Sequence, residues 1–129
     1  MDYSIGDFLI RIKNASLARR REVVMPFSRL SESVGKVLKK EGFLEDIRGD
    51  VSDGKKILVA TLRYVRRKPV VSGVKIISKP SIRSYIGAHE LEKKMRGPSV
   101  KILSTNQGIL TGKEARSKGI GGELLFEIW

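Results

Sequence analysis

Apolar residues recur at helical spacing twice in the first forty positions, as Ile5, Phe8, Leu9 and Ile12 and again as Leu30, Val34, Val37 and Leu38. From there on the apolar residues come in short runs, many β-branched, separated by glycine, proline and small polar residues. A chain whose hydrophobic period changes in this way is expected to be α+β, with short elements on both sides of the change. The first helix is expected from about Ser4 to Ser16, where Ser4 and Asp7 resemble a capping box. Glu22 to Met25 reads as a short strand that Pro26 ends. A second helix is capped by Ser28 and stopped by Gly42. Phe43 to Arg48 and Ile57 to Val65 then read as strands joined by the hairpin Ser52-Asp53-Gly54-Lys55.

The run Arg66-Arg67-Lys68-Pro69 interrupts this pattern and is taken as the boundary between two small, tightly packed α/β domains. Residues 1–67 form an α-β-α-β-β domain and residues 68–129 a strand-rich domain with short helices. In the second part, Val70 to Ser78, Ile82 to Ile86, Val100 to Leu103, Ile109-Leu110 and Leu124 to Trp129 read as strands. Glu90 to Met95 reads as a short helix. Thr111-Gly112-Lys113-Glu114 opens another with a capping box, and Gly119 closes it.

Lys and Arg number 26 against 14 Asp and Glu, a formal charge of +12. Both halves, divided at Lys68, are net basic, so the excess lies in folded sequence and not in a tail. Such a surface favours a polyanion, and charge alone does not separate nucleic acid from an anionic membrane. No apolar run approaches the roughly 18–20 residues that span a bilayer, and Met1-Asp2-Tyr3-Ser4 does not open a signal peptide. The expected location is the cytosol. There is no cysteine, which removes disulfides, thiolate metal sites and cysteine nucleophiles.

The catalytic motifs fail on spacing. Gly108-Ile109-Leu110-Thr111-Gly112-Lys113-Glu114 resembles a phosphate loop. It has one residue too few between its glycines, and Glu114 stands where a magnesium-binding hydroxyl is needed. Gly119-Ile120-Gly121-Gly122 leaves a helix and enters a strand, the reverse of a dinucleotide fingerprint. His89 is the single histidine, is read as a surface residue near a helix start, and no Gly-x-Ser-x-Gly elbow is present. No enzyme activity, cofactor, metal or small-molecule substrate is expected.

Two clusters of small polar and glycine residues remain. Ser104-Thr105-Asn106-Gln107-Gly108 offers hydroxyls and carboxamides in one turn, and Gly119-Ile120-Gly121-Gly122-Glu123 offers backbone with little side-chain cover. These groups suit base edges, ribose hydroxyls and close-approaching phosphates. Lys101, Lys113, Arg116 and Lys118 are candidates for phosphate contacts. The residues alone leave a second reading open, in which the first cluster is a hairpin turn and the second a helix stop. Tyr64 and Tyr85 are candidates to stack on unpaired bases, or to be core or rim packing.

The stretch Ser104 to Thr111, followed by Glu114-Ala115-Arg116 and Gly119-Ile120-Gly121-Gly122-Glu123, resembles the C-terminal signature of the eighth protein of the small ribosomal subunit. Further likeness lies in Asp7 to Ala15, in Met25-Pro26-Phe27-Ser28-Arg29-Leu30, in Val37 to Ile47 with Glu41-Gly42-Phe43, and in Ser78-Lys79-Pro80 through Tyr85. The resemblance implies two associated α/β domains and a structural constituent of the ribosome that binds the central domain of 16S rRNA. It also implies neighbours among the small-subunit proteins and, in some members, repression of the protein's own operon mRNA. By the same resemblance Ser104, Thr105 and Asn106 meet the RNA, with Gly108 in their turn and Gly121, Gly122 and Glu123 as the adjoining edge. Tyr85, Lys55, Asp7, Arg11 and Asn14 are further transfers. The alternative function is a repressor or architectural protein on mRNA or DNA. The chain departs from the family at Asn106, where serine is common, at Ser81, where glycine is frequent after Pro80, and at Arg96-Gly97-Pro98. Glu123 repels phosphate, so the role favoured for it is anchoring Gly121 and Gly122 through their amides.

Overall fold

The computed structural model describes residues 4–94 and 97–129. It is mixed α and β, and its described residues fall into two compact units that divide between Ser72 and Gly73.

The first unit begins with α1 (Ser4–Leu17), β1 (Glu22–Pro26) and α2 (Arg29–Lys40), followed by β2 (Leu44–Ser52) and β3 (Lys55–Leu62). The strands form an antiparallel sheet in the order β1-β3-β2. The helical stripes expected from sequence supply its core, where Phe8, Leu9, Ile12, Val34 and Leu38 are buried with Leu44 and Leu58. Ser28 caps α2 by accepting from the Ser31 amide. The β2–β3 connection is a two-residue turn in which Asp53 and Gly54 both have positive φ, +52° and +75°. That is the geometry whose twist matches a hairpin and that Asp-Gly favours. The capping role expected of Ser4 involves a side chain outside the described residues. Asp7 holds the Arg11 guanidinium at 3.0 Å.

The run Arg66-Arg67-Lys68-Pro69 folds as a small hairpin of this unit, with β4 (Tyr64–Val65) paired to β5 (Lys68–Pro69) around Arg66-Arg67. Tyr64 is half-buried and donates its hydroxyl to the Arg20 carbonyl at 2.6 Å.

The second unit contains β6 (Val74–Ile76), β7 (Tyr85–Ile86), α3 (Ala88–Lys94), β8 (Val100–Thr105), β9 (Gly108–Thr111), α4 (Gly112–Lys118) and β10 (Gly122–Ile128). Its antiparallel sheet runs β6-β10-β8-β9, with β7 also on β10. Ile86, Leu91, Leu103, Leu110, Ala115 and Leu124 form one buried cluster. The Thr111 and Glu114 capping box opens α4, and Gly119 closes it in the left-handed region. The short helix expected at Glu90 to Met95 corresponds to α3, and Met95 and Arg96 lie outside the described residues.

Several strand expectations need correction. In the first unit, β2 runs on past Arg48 to Ser52, and Ile57 to Val65 is not one strand, since β3 ends at Leu62 and Tyr64–Val65 pairs separately with β5. Val70 to Ser78 is not one strand. Val70 donates its amide to Arg63 in the first unit, only Val74–Ile76 joins β10, and Ile77 and Ser78 both donate to the Leu125 carbonyl. Ile82 belongs to a turn closed by reciprocal backbone bonds with Lys79, so β7 begins at Tyr85. Strand β10 begins at Gly122, two residues before the expected Leu124, because the glycines already lie in the ladder. In each case pairing partners decided the extent, which β propensity does not encode.

Candidate nucleic-acid interface

The hairpin β8–β9 turns at Asn106-Gln107, with Thr105 opposite Gly108. Gly108 has φ +104°, a conformation that suits glycine. Thr105 fixes the turn, since its hydroxyl donates to the Gly108 carbonyl at 2.8 Å and accepts from the Gln107 amide at 3.1 Å. Its proton is therefore spent inside the protein. The Ser104 hydroxyl, the Asn106 carboxamide and the Tyr85 phenol have no side-chain partner among the described residues.

After α4, Gly119 reverses the chain and Ile120-Gly121 leads it into β10. A Cβ on Gly121 would collide with the Ile86 carbonyl and lie 2.8 Å from the Gly87 Cα; one on Gly122 would collide with the Ser104 carbonyl and lie 3.0 Å from Thr105 Cγ2. These glycines are required by the close approach of the chain's own backbone. Their bareness, expected from sequence to admit a ligand, is demanded by backbone that lies far from them along the chain.

The result is a shallow depression of about 510 Å³ lined by Tyr85, Ser104, Thr105, Asn106, Ile120, Gly121, Gly122 and Glu123. The two segments meet because Glu123 is paired with Ser104 on β8 and with Tyr85 on β7. A bulge at Leu125 lies beside the site, as bulges often do where a strand re-aims side chains. Tyr85 is 71% exposed, so its ring is available to a base as a stacking face.

Glu123 anchors a different element from the one expected. Its Oε2 accepts from the Ser78 hydroxyl and, at 3.3 Å, from Arg83 Nη1. Ser78 Oγ also accepts from the Ser84 amide at 3.2 Å. The carboxylate thus ties the loop between β6 and β7 to β10, and Arg83 offsets its charge. Ser78 to Tyr85 carries part of the family likeness, but no role follows from it for Ser78 or Arg83, because their partner Glu123 lies some forty residues away along the chain.

The remaining candidates are dispersed. Lys118 Nζ lies 3.4 Å from Gln107 Oε1, beside the hairpin turn, and Lys113 and Arg116 are exposed on α4. Lys101 must be withdrawn as a phosphate contact, because it is 6% exposed and pairs with Glu127 at 3.0 Å. Lys55, Asp7, Arg11 and Asn14 belong to the first unit. Lys55 flanks the Asp53-Gly54 turn. Arg11 is held by Asp7 and donates to the Val24 carbonyl at 2.9 Å; with Asn14 it lines a second hollow of about 500 Å³ between α1 and β1.

A family profile described as ribosomal protein S8 matches residues 3–129. The chain belongs to the ribosomal protein S8 family. It is 47% identical over 125 residues to small ribosomal subunit protein uS8 of Desulfovibrio desulfuricans, covering 97% of this chain and 96% of that protein. The uS8 proteins of Persephonella marina and Thermosynechococcus vestitus are 43% and 41% identical over 131 and 128 residues, each with 96% of its length covered. The resemblance read from Ser104 to Thr111 and Gly119 to Glu123 is borne out. The S8 family is one of ribosomal proteins and not of enzymes. Among the described residues of this S8-family chain, no three His, Cys, Asp or Glu side chains converge as metal ligands, and no helix is long and apolar enough to cross a membrane.

Proposed function

We propose that the chain is a structural constituent of the small ribosomal subunit in the cytoplasmic ribosome, where it binds the central domain of 16S rRNA and lies beside other small-subunit proteins. Family membership over nearly the whole chain is the observation that carries this reading. The depression supports a site for it. Ser104 and Asn106 offer donors and acceptors with no internal partner, Tyr85 offers a stacking face, and Glu123 is neutralised by Arg83. That combination fits exposed base edges and ribose hydroxyls in an irregular RNA helix, where shape and unpaired groups are read together. The +12 charge supplies attraction that does not depend on base sequence. Thr105 and the glycines shape the site, and Lys118 adds a phosphate contact at its edge.

The test is a titration of the full chain against a central-domain 16S rRNA fragment, an unrelated structured RNA and duplex DNA at several salt concentrations. Preference for the rRNA fragment is expected. Asn106→Ala and Tyr85→Ala should erode that preference, whereas Lys118→Ala should weaken binding to all three and reduce the salt slope by about one. Equal affinity for the three would refute specific rRNA binding. A tighter complex with a leader segment of the protein's own operon mRNA than with rRNA would favour the repressor instead.

A further inference from the structure

Left-handed backbone is adopted by four non-glycine residues among those described: Arg19, Asp53, Arg66 and Arg67, with φ of +55°, +52°, +53° and +67°. Three of the four are arginines, and they sit in two segments, one after α1 and one between β4 and β5, that are bonded to each other through Tyr64 at the base of the second. Arg19 ends α1. Its amide bonds the Ser16 carbonyl at 3.2 Å and that of Arg20 bonds Ala15 at 2.8 Å, the paired bonds of a Schellman cap, whose left-handed position is usually glycine. Arg66 and Arg67 form the two-residue tip between β4 and β5, a turn that Asn-Gly or Asp-Gly favours. Arginine is a poor choice for all three conformations, because its Cβ crowds the backbone where glycine does not.

The loops are held together by backbone acceptors. Tyr64 donates to the Arg20 carbonyl at 2.6 Å, and the Leu62 amide donates to the Arg21 carbonyl at 2.8 Å. The guanidinium groups take no part in this. Arg19, Arg20, Arg21, Arg66, Arg67 and Lys68 are all exposed, and none pairs with a carboxylate among the described residues. Some other cations of the same unit are neutralised, as in Arg11 with Asp7, Lys39 with Asp46 and Arg48 with Glu22. Glu45 lines a hollow together with Arg21, Thr61, Leu62 and Tyr64, and its carboxylate disfavours a phosphate there.

We propose that these two stitched loops form a second RNA-binding surface, which holds a stretch of phosphate backbone without reading its sequence. Unpaired cations concentrated on two rigid turns suit a polyanion of fixed shape, and forked guanidinium donors match phosphate oxygens. Backbone strain accepted at three arginines is understandable if their charge has a use outside the fold. The assignment of RNA as the polyanion rests on the ribosomal reading above.

The test replaces Arg19 by glycine and writes Arg66→Asn with Arg67→Gly, so each turn receives its preferred residues. Thermal stability should be unchanged or higher. Affinity for the central-domain fragment should fall about tenfold or more, and the slope of log affinity against log salt should become shallower by roughly two to three. Arg→Lys at the same positions should keep the slope. A glycine-type variant with wild-type affinity and slope overturns the proposal, as does one whose only loss is association with purified small-subunit proteins. If the unmodified chain fails to prefer the rRNA fragment, the ribosomal reading has failed; if it prefers the fragment and the variant's slope is unchanged, only this inference falls.

Discussion

Gly122→Ala isolates the reason the C-terminal edge is glycine-rich. Gly122 is not among the positive-φ residues, so alanine costs nothing in backbone conformation. The added methyl would meet the Ser104 carbonyl well inside 3.0 Å and Thr105 Cγ2 at 3.0 Å. Ser104 belongs to the adjoining strand, and its carbonyl cannot rotate away as a side-chain end can. Restoring ordinary contact requires β10 to retreat from β8 by roughly 1 Å. Overpacking of this kind costs about 1–3 kcal/mol, and weakening a ladder hydrogen bond adds about 1 kcal/mol. A loss of about 2–4 kcal/mol follows from those terms. Gly108→Ala is the control: open space surrounds its Cβ, but φ is +104°, so only dihedral strain of about 1–2 kcal/mol is expected. Urea unfolding followed by the single tryptophan, Trp129, reports on the same unit. A Gly122→Ala protein within about 0.5 kcal/mol of wild type, a difference ordinary for harmless surface changes, would refute the steric argument.

Thr105→Ala should destabilise by about 1 kcal/mol through loss of the turn bonds and should weaken rRNA binding, whereas Thr105→Ser should restore both, as read by unfolding and by titration. Lys101→Met should leave RNA affinity and its salt slope unchanged. Lys101→Met strands Glu127, which is 22% exposed on its side chain, so a stability loss of about 2 kcal/mol, below the fully buried range, is expected. The hydrogen bond from Lys39 holds the Asp46 carboxyl below the ordinary value of 3.8. A depressed folded-state value makes the pair's small stabilisation complete above that ordinary value and lost as pH falls through the depressed one. Asp46→Asn should therefore lower stability slightly in the neutral region, where the wild-type pair is complete, and converge on the wild type as pH falls below about 4, which flattens the acid limb of a stability-against-pH profile.

Local periodicity made the two N-terminal helices legible, because a helix of the first unit needs only its own buried stripe to declare itself. The Asp53-Gly54 turn and the Thr111-Glu114 capping box were legible for the same reason: their partners are two or three residues apart. The strands of the second unit were legible as strands but not in extent, since Val74–Ile76 and Gly122–Glu123 are delimited by partners on distant segments. Lys101 shows the same limit for charge. A basic residue in a basic chain reads as surface, and only its cross-strand neighbour Glu127 makes it an interior ion pair.

By itself the sequence determined the α+β class, the net attraction to a polyanion and, through the order and spacing of Ser104 to Thr111 and Gly119 to Glu123, the family. Each depends on composition or on neighbours along the chain. Tertiary structure alone decided that Tyr85, Ser104 and Gly121 to Glu123 share one depression, that Glu123 holds the loop carrying Ser78 and Arg83, and that Arg20 is bonded by Tyr64, at the base of the Arg66-Arg67 turn. Strand pairing and loop stitching join residues tens of positions apart, and nothing in a residue's own neighbourhood states what will lie across from it.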